Sequence, residues 1–191
     1  MYRKKIIVGI SGATGLQYGI RALELLKKQG IETHLVMSKA AELVRTYETE
    51  LKREDILALA DVSYASQDIG AGIASGSFKT SGMLIAPCTV KTMSEIATGV
   101  TSTLLSRAAD VVLKERRRLV LMVRETPFHA GHLKTMLALT EMGAIVMPPV
   151  PALYLHPQSI DEMVTHSVAR ALELLDVEVD APRWTNEHRA E

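Results

Sequence analysis

The sequence predicts a single-domain α/β protein, Rossmann-like or flavodoxin-like: a doubly wound parallel sheet with helices on both faces. Three observations carry this. Five short apolar runs alternate with helical stretches along the 191 residues, the pattern of repeated β–α units. Runs such as Leu119–Val123 are apolar throughout rather than at alternate positions, so both faces of the strand are buried. The first run ends in Ser11-Gly12-Ala13-Thr14-Gly15, a Gly-rich turn that leads straight into a helix.

Composition narrows the class. Apolar residues make up 47% and charged residues 23%, both ordinary for a soluble globular domain. Lys+Arg and Asp+Glu each number 22, a net charge of zero, which argues against nucleic acid or an anionic membrane as the main partner. No apolar run reaches membrane-spanning length and no cleavable signal pattern is present. The one cysteine, Cys88, excludes an internal disulfide. The cytosol is the expected compartment. Without repeats or low-complexity linkers, residues 1–191 read as one domain, with 176–191 as a polar tail.

Taken in order, Lys5–Ile10 is a buried strand and Leu16–Lys28 a helix closed by Gly30. Strand, Gly-rich turn and helix is a phosphate-cradling arrangement, with backbone N–H groups at a helix N-terminus. The spacing Gly9-x-x-Gly12-x-x-Gly15 is neither the dinucleotide fingerprint nor a P-loop. Glu32–Met37 is the second strand. Ser38 caps a helix running to about Leu51 and places a hydroxyl at the ligand-bearing edge. Glu48 sits late in that helix, and Arg53–Ala60 is another short one. Ser63–Ser81 is the longest irregular stretch, and its Phe78 is an aromatic able to wall a flat ring. Gly82–Ala86 is the third strand. The loop Pro87-Cys88-Thr89-Val90-Lys91-Thr92 follows and opens a helix; its hydroxyls, Lys and N–H groups suit the oxygens of a flavin or nucleotide. Cys88 reads as a small buried filler, with no His placed to activate it.

Arg107–Glu115 reads as a helix and Leu119–Val123 as the fourth strand. Arg116, Arg117 and Arg118 between them read as a solvated face. Arg124 and Glu125 stand at the carboxyl end of the strand, where open α/β sheets bind ligands, and cations gathered there suit a phosphate. Thr126-Pro127 starts a helix to about Met142, ended by Gly143. His129 and His132 lie on it without a third ligand candidate, so no metal site is expected. Ala144–Met147 is the fifth strand, and Pro148–Pro151 a rigid link to Tyr154. Ser159-Ile160-Asp161-Glu162 is a capping box opening the final helix, which carries Arg170 and ends near Leu175. Trp184, the only Trp, reads as a lid or a contact between copies.

The segments GISGATG (from Gly9), SGSF (from Ser75), PCTVKT (from Pro87), Arg107–Pro127 and PPVPALY (from Pro148), then a capped final helix, occur in this order over almost the whole chain. Together they resemble the flavin prenyltransferase family. ETHLVMSKAA (from Glu32) and the Thr of GATG are similar to its branch encoded beside hydroxyarylic (phenolic) acid decarboxylases, whose members are named as a subunit of those enzymes. Two departures stand out: Thr14, where many members have Ser, and Val100–Thr103, where an Asp-Asn or Asp-Gly pair is usual.

The resemblance implies that dimethylallyl phosphate alkylates reduced FMN at N5 and C6, giving prenylated FMN for a partner decarboxylase. It implies FMN contacts from Gly12, Ala13, Thr14, Ser38, Thr89, Val90, Lys91, Thr92 and Arg124. It gathers Arg107, Lys114, Tyr154 and Arg170 around dimethylallyl phosphate, some from a neighbouring subunit, with Trp184 beside them. Glu48, Glu125, Lys114 and Thr14 are the expected catalytic groups, the two carboxylates stabilising positive charge on the allylic carbon or the alkylated flavin. The family is typically dodecameric, and Trp184 with the apolar Pro149–Leu155 segment agrees with a homo-oligomer. Three rivals stay open at this point: a flavin-dependent cysteine-type decarboxylase, an FMN-binding accessory subunit without catalysis, and a plain nucleotide-binding module. The first lacks its Pro-Ala-Ser-Ala-Asn-Thr hallmark here.

Overall fold

In a computed structural model the described residues are 3–181. The chain runs β1 (Lys5–Ile10), α1 (Leu16–Lys28), β2 (Glu32–Met37), α2 (Lys39–Glu48), α3 (Arg53–Leu57), β3 (Val62–Tyr64), β4 (Gly82–Cys88), α4 (Val90–Thr98), α5 (Leu104–Lys114), β5 (Arg118–Val123), α6 (Ala130–Glu141), β6 (Ile145–Val146) and α7 (Ile160–Glu173). The sheet is parallel throughout, in the order β3-β2-β1-β4-β5-β6. This is the Rossmann order, and the direction in which strands are added reverses between β1 and β4, so the crevice for a ligand opens at their carboxyl ends.

Alternate residues of the strands feed two cores. Ile6, Val8, Ile10, Leu84 and Met122 pack with α1 and α7. Ile7, Met83, Ile85, Leu119 and Leu121 pack on the other face with α4 and α5. The continuous apolar runs thus arise from burial on both faces, as expected for a parallel sheet.

Several expectations are corrected. The sheet has six strands rather than five: β3 lies at the start of the stretch read as irregular. It is too short to show periodicity. It exists because Val62, Ser63 and Tyr64 pair with His34, Leu35 and Val36 of β2, and because the Tyr64 hydroxyl lies 2.9 Å from His34 Nδ1. Phe78, read as able to wall a flat ring, packs edge-on against His34, ring centroids 5.1 Å apart. The Arg triplet is not simply a solvated face. Arg117 donates to the carbonyls of Gly76 and Phe78, both at 2.8 Å, clamping the loop before β4. Arg118 donates to the Leu174 carbonyl at 2.9 Å, satisfying the C-terminal end of α7. Helix α5 starts three residues earlier than expected because Thr103 caps it, accepting from the Ser106 N–H. Helix α6 starts later because His129, not Thr126, is its cap: Nδ1 accepts the Gly131 N–H at 3.0 Å. The tail is not wholly polar, since Val177 and Val179 are buried in the core beside α7. Trp184 lies outside the described residues. Among the described residues no helix is long and apolar enough to cross a membrane.

Candidate active site

The site is built where β1 and β4 end. Ser11, at the end of β1, is buried; its Oγ donates to the Pro87 carbonyl at 2.8 Å and accepts from the Thr89 N–H at 2.8 Å. One hydroxyl therefore fixes the Gly-rich turn against the loop after β4. Gly12 is needed because a Cβ there would come within 2.3 Å of the Ala40 Cβ. Gly15 adopts φ 104°, a left-handed conformation that glycine enters without strain.

The N-terminus of α1 already holds an anion. The Glu48 carboxylate, at the end of α2, accepts from Gly15 N–H at 2.9 Å and Leu16 N–H at 2.9 Å. A carboxylate there is stabilised by the helix dipole and by the two donors it satisfies. The Gly15 and Leu16 N–H groups of this turn are therefore occupied by Glu48. The N–H groups of Gly12, Ala13 and Thr14, by contrast, have no acceptor among the described residues.

Two cavities border this turn. The first, about 350 Å³, is lined by Gly12, Ser38, Lys91, Thr92, Ser66 and Thr103, among others. Three helix N-termini border it: Ser38 caps α2, Thr89 caps α4 and Thr103 caps α5, each through its hydroxyl. The N-terminal halves of helix dipoles favour negative charge, and Lys91 adds a cation, ion-paired to Glu95 at 2.7 Å. The second, about 290 Å³, is lined by Thr14, Gly15, Tyr18, Glu48, Arg124 and Pro149, among others. It brings together three residues predicted from sequence, Thr14, Glu48 and Arg124. Burial pushes the Tyr18 phenol to a higher pKa, and the Arg124 charge partly offsets this. Glu125, next in the chain, turns its carboxylate onto its neighbour, accepting from the Thr126 N–H at 3.0 Å.

A third cavity, about 330 Å³, lies by α7. Tyr154, Arg170 and His166 line it together with apolar Met147, Val150 and Leu155. Arg170 pairs with Glu173 at 3.1 Å. Arg107 and Lys114 are elsewhere. Both belong to α5, which packs on the opposite face of the sheet from α7. Arg107 donates to the Ala74 carbonyl at 3.2 Å and pairs with Asp110 at 2.8 Å. Lys114 pairs with Glu115 at 2.9 Å. Within one chain, then, the four residues expected around dimethylallyl phosphate do not gather: Tyr154 and Arg170 meet, and the sheet separates them from Arg107 and Lys114.

Cys88 fits its reading as a filler. It is fully buried, which pushes the thiol up to about 12 and leaves no thiolate for nucleophilic chemistry at neutral pH. His129 and His132 stack on each other, with ring centroids 3.6 Å apart. Sequence reasoning missed Tyr18, Ser66, Thr103 and His166 as cavity residues. For Thr103 a signal existed, a Thr three residues before Ser106 at a helix start; the others occupy unremarkable helix or loop positions.

Comparison with known proteins identifies the family. Residues 1–172 match the family model described as Flavoprotein. The flavin prenyltransferase UbiX of Neisseria meningitidis serogroup B is 56% identical over 182 residues, 95% of this chain and 96% of that protein. The crystal structure of AnUbiX (PadA1) in complex with FMN and dimethylallyl pyrophosphate aligns with a TM-score of 0.95 at 46% identity, covering 97% of this chain and 99% of that one. The dodecameric FMN-dependent UbiX-like decarboxylase from Escherichia coli O157:H7 aligns with a TM-score of 0.93 at 47% identity, covering 95% of this chain and 100% of that one. The chain belongs to the flavoprotein family and, within it, to the flavin prenyltransferases.

Proposed function

We propose that this flavin prenyltransferase joins the dimethylallyl group of dimethylallyl phosphate to N5 and C6 of reduced FMN in the cytoplasm, and that the prenylated FMN serves a partner aromatic or phenolic acid decarboxylase. The observation that carries this reading is the 12–15 turn itself, which borders an anion-ready cavity at Gly12 and, at Thr14 and Gly15, a crevice that also holds Glu48 and Arg124.

The residues fit an FMN. The acceptor-less N–H groups of Gly12, Ala13 and Thr14, the hydroxyls of Ser38, Thr89 and Thr92, the backbone around Val90 and the ammonium of Lys91 suit a phosphate and a polyol chain. Arg124 and Thr14 offer donors for the polar edge of a flat ring. Reduced flavin supplies the electron-rich N5 and C6 positions that accept the prenyl carbon.

The protein's own part is positioning and electrostatics. The α7 cavity is amphipathic: Met147, Val150 and Leu155 suit a five-carbon chain, and Arg170 and Tyr154 suit its phosphate. The phosphate leaves with the bonding electrons of the carbon–oxygen bond, so cations must meet the charge that develops. Glu48, held by two N–H groups, is a fixed negative charge able to stabilise the electron-poor allylic carbon. Glu125 is a second carboxylate at the same edge. Lys114 and Arg107, on the far face of the sheet, serve a phosphate only if a second copy supplies them. A homo-oligomer, such as a dodecamer, follows from this reading.

The test is direct. The protein is incubated anaerobically with reduced FMN and either dimethylallyl phosphate or the diphosphate, and the extracted flavin is weighed by mass spectrometry. A gain of one isoprene unit with the monophosphate is expected. No gain with either donor overturns the proposal. Adding the extracted flavin to an apo aromatic acid decarboxylase tests the partner: restored decarboxylation is expected.

A further inference from the structure

We infer that Lys39 is a further ligand of the FMN phosphate, binding it through its ammonium at the start of α2. This rests on the reading of the cavity beside Gly12 as the FMN phosphate site and adds a residue to it.

Lys39 is the first residue of α2, next to its cap Ser38. It lines the same cavity as Gly12, Ser38 and Lys91. A positive charge in the first turn of a helix opposes the dipole, whose N-terminal end favours anions. Nothing in the helix offsets it. Glu42, three residues on, is the acidic residue of that turn and a neighbour on the helix surface. It is held by two arginines instead, Arg53 at 2.7 Å and Arg45 at 3.3 Å. The Lys39 ammonium has no ion-pair or hydrogen-bond partner among the described residues.

Lys91 makes the contrast. It also stands in the first turn of its helix, α4, and lines the same cavity, but Glu95, one turn on, pairs with it at 2.7 Å. Two lysines at the positive ends of two helices around one cavity break a local rule twice. Such breaks are expected where function compensates them, and an anion bound between the helices does so. Lys39 is the lysine that no carboxylate of the described chain compensates.

The backbone around Lys39 is also ready for an anion. Ser38 takes the Ala41 N–H on its hydroxyl at 3.0 Å and the Glu42 N–H on its carbonyl at 3.2 Å. The N–H groups of Lys39 and Ala40 have no acceptor among the described residues. A Cβ on Gly12 would come within 2.3 Å of the Ala40 Cβ, so the Gly-rich turn lies against the first turn of α2. Its own unspent N–H groups therefore adjoin those of α2. An ammonium offers three donors and no acceptor, and its hydrogen bonds to phosphate oxygens are charge-assisted.

The experiment is fluorescence titration of the flavin-free protein with FMN and, separately, with riboflavin, which lacks the phosphate. It is run at about 50 mM and about 1 M salt, where screening of exposed charges is weak and strong. Lys39→Gln is expected to weaken FMN about tenfold at low salt and less than about threefold at high salt, with riboflavin changed less than about twofold at either. Lys39→Arg, which keeps the charge, is expected to recover most of the FMN affinity. The melting temperature of flavin-free Lys39→Gln is expected to stay level or rise, because the change removes a charge that opposes the dipole; a residue that served only the fold would lower it. Unchanged FMN affinity in Lys39→Gln at low salt overturns the inference. So does an equal loss for FMN and riboflavin, which takes Lys39 away from the phosphate. If Lys91→Gln abolishes the preference for FMN over riboflavin and Lys39→Gln does not, the cavity keeps its reading and this inference alone falls. If the wild type binds FMN and riboflavin equally, the phosphate is not read there and both fall. Failure to prenylate FMN while the Lys39→Gln effect persists sinks the proposed reaction and not this contact.

Discussion

Glu48 is a helix cap, and the proposed reaction gives the same carboxylate a second duty. It ends α2, yet its contacts are with Gly15 and Leu16 of α1, and its crevice contains Thr14 and Arg124. Glu48→Gln keeps one acceptor for the α1 N-terminus and removes the charge. A loss of about 1 kcal/mol in stability is expected from the weakened cap. The catalytic consequence is expected to be much larger: FMN and dimethylallyl phosphate still bind, and the four-ring product does not form in single-turnover spectra with reduced FMN. Product at the wild-type rate, with only the melting temperature lowered, makes Glu48 a cap and nothing more. Arg124 is the contrasting case, a side chain at the strand end with no ion-pair partner among the described residues. Arg124→Ala is expected to weaken FMN by about 1.5–3 kcal/mol, the worth of one charge-assisted hydrogen bond. Fluorescence titration of the flavin measures this, and equal affinities count against the placement.

Among the elements, β3 and the loop after it have the least support from periodicity and the most from specific polar contacts. His34, buried on β2, has Tyr64 at one ring nitrogen and Glu32 at the other, 2.9 and 3.0 Å away. Lys5 is paired with Glu32 at 2.9 Å, and Phe78 packs against the ring. Burial lowers the pKa of His34 below its ordinary value of 6.5, against the opposing pull of Glu32; Lys5 lowers it further and Asp61 raises it. The unfolded chain therefore binds the extra proton more readily than the folded one. Stability contributed by the neutral ring is full above pH 6.5 and is lost as the pH falls through and below that value. Melting curves are expected to show a fall in stability from pH 6.5 downward that is shallower in His34→Gln. Parallel pH profiles for the two proteins remove the His34 network as its cause.

For the whole molecule, the position of α5 decides the most. Placing Arg107 and Lys114 across the sheet from Tyr154 and Arg170 makes the proposed donor site incomplete in one copy. Exposed Leu133 and Leu137 on α6, and Val150 and Leu153 after β6, are apolar surface that a second copy can cover. Light scattering is expected to report an oligomer, and a monomer at working concentration contradicts the arrangement. A sharper check mixes two inactive variants. Lys114→Ala and Arg170→Ala copies, each expected to bind FMN normally but turn over poorly, should recover part of the activity when unfolded and reassembled together. Recovery requires sites built from both copies; its absence overturns a donor site shared between copies.

The parallel fold, the Gly-rich turn, Arg124 at a strand end and the Ser38 and Ser159 caps were legible in the chain itself. Each depends on residues near in sequence: apolar runs, a turn chemistry that only glycine tolerates, a hydroxyl three residues ahead of the N–H it accepts. What tertiary structure alone decided depends on residues far apart. No local pattern says that Glu48 reaches back thirty-three residues to Gly15, that Arg117 clamps carbonyls thirty-nine and forty-one residues earlier, or that β3 pairs at all. Side-chain reach across packed elements sets those contacts, and periodicity carries no information about it. The same holds for the donor residues. Their spacing along the chain says nothing about which face of the sheet each helix will cover; the crossover of the chain from one side of β1 to the other decides that.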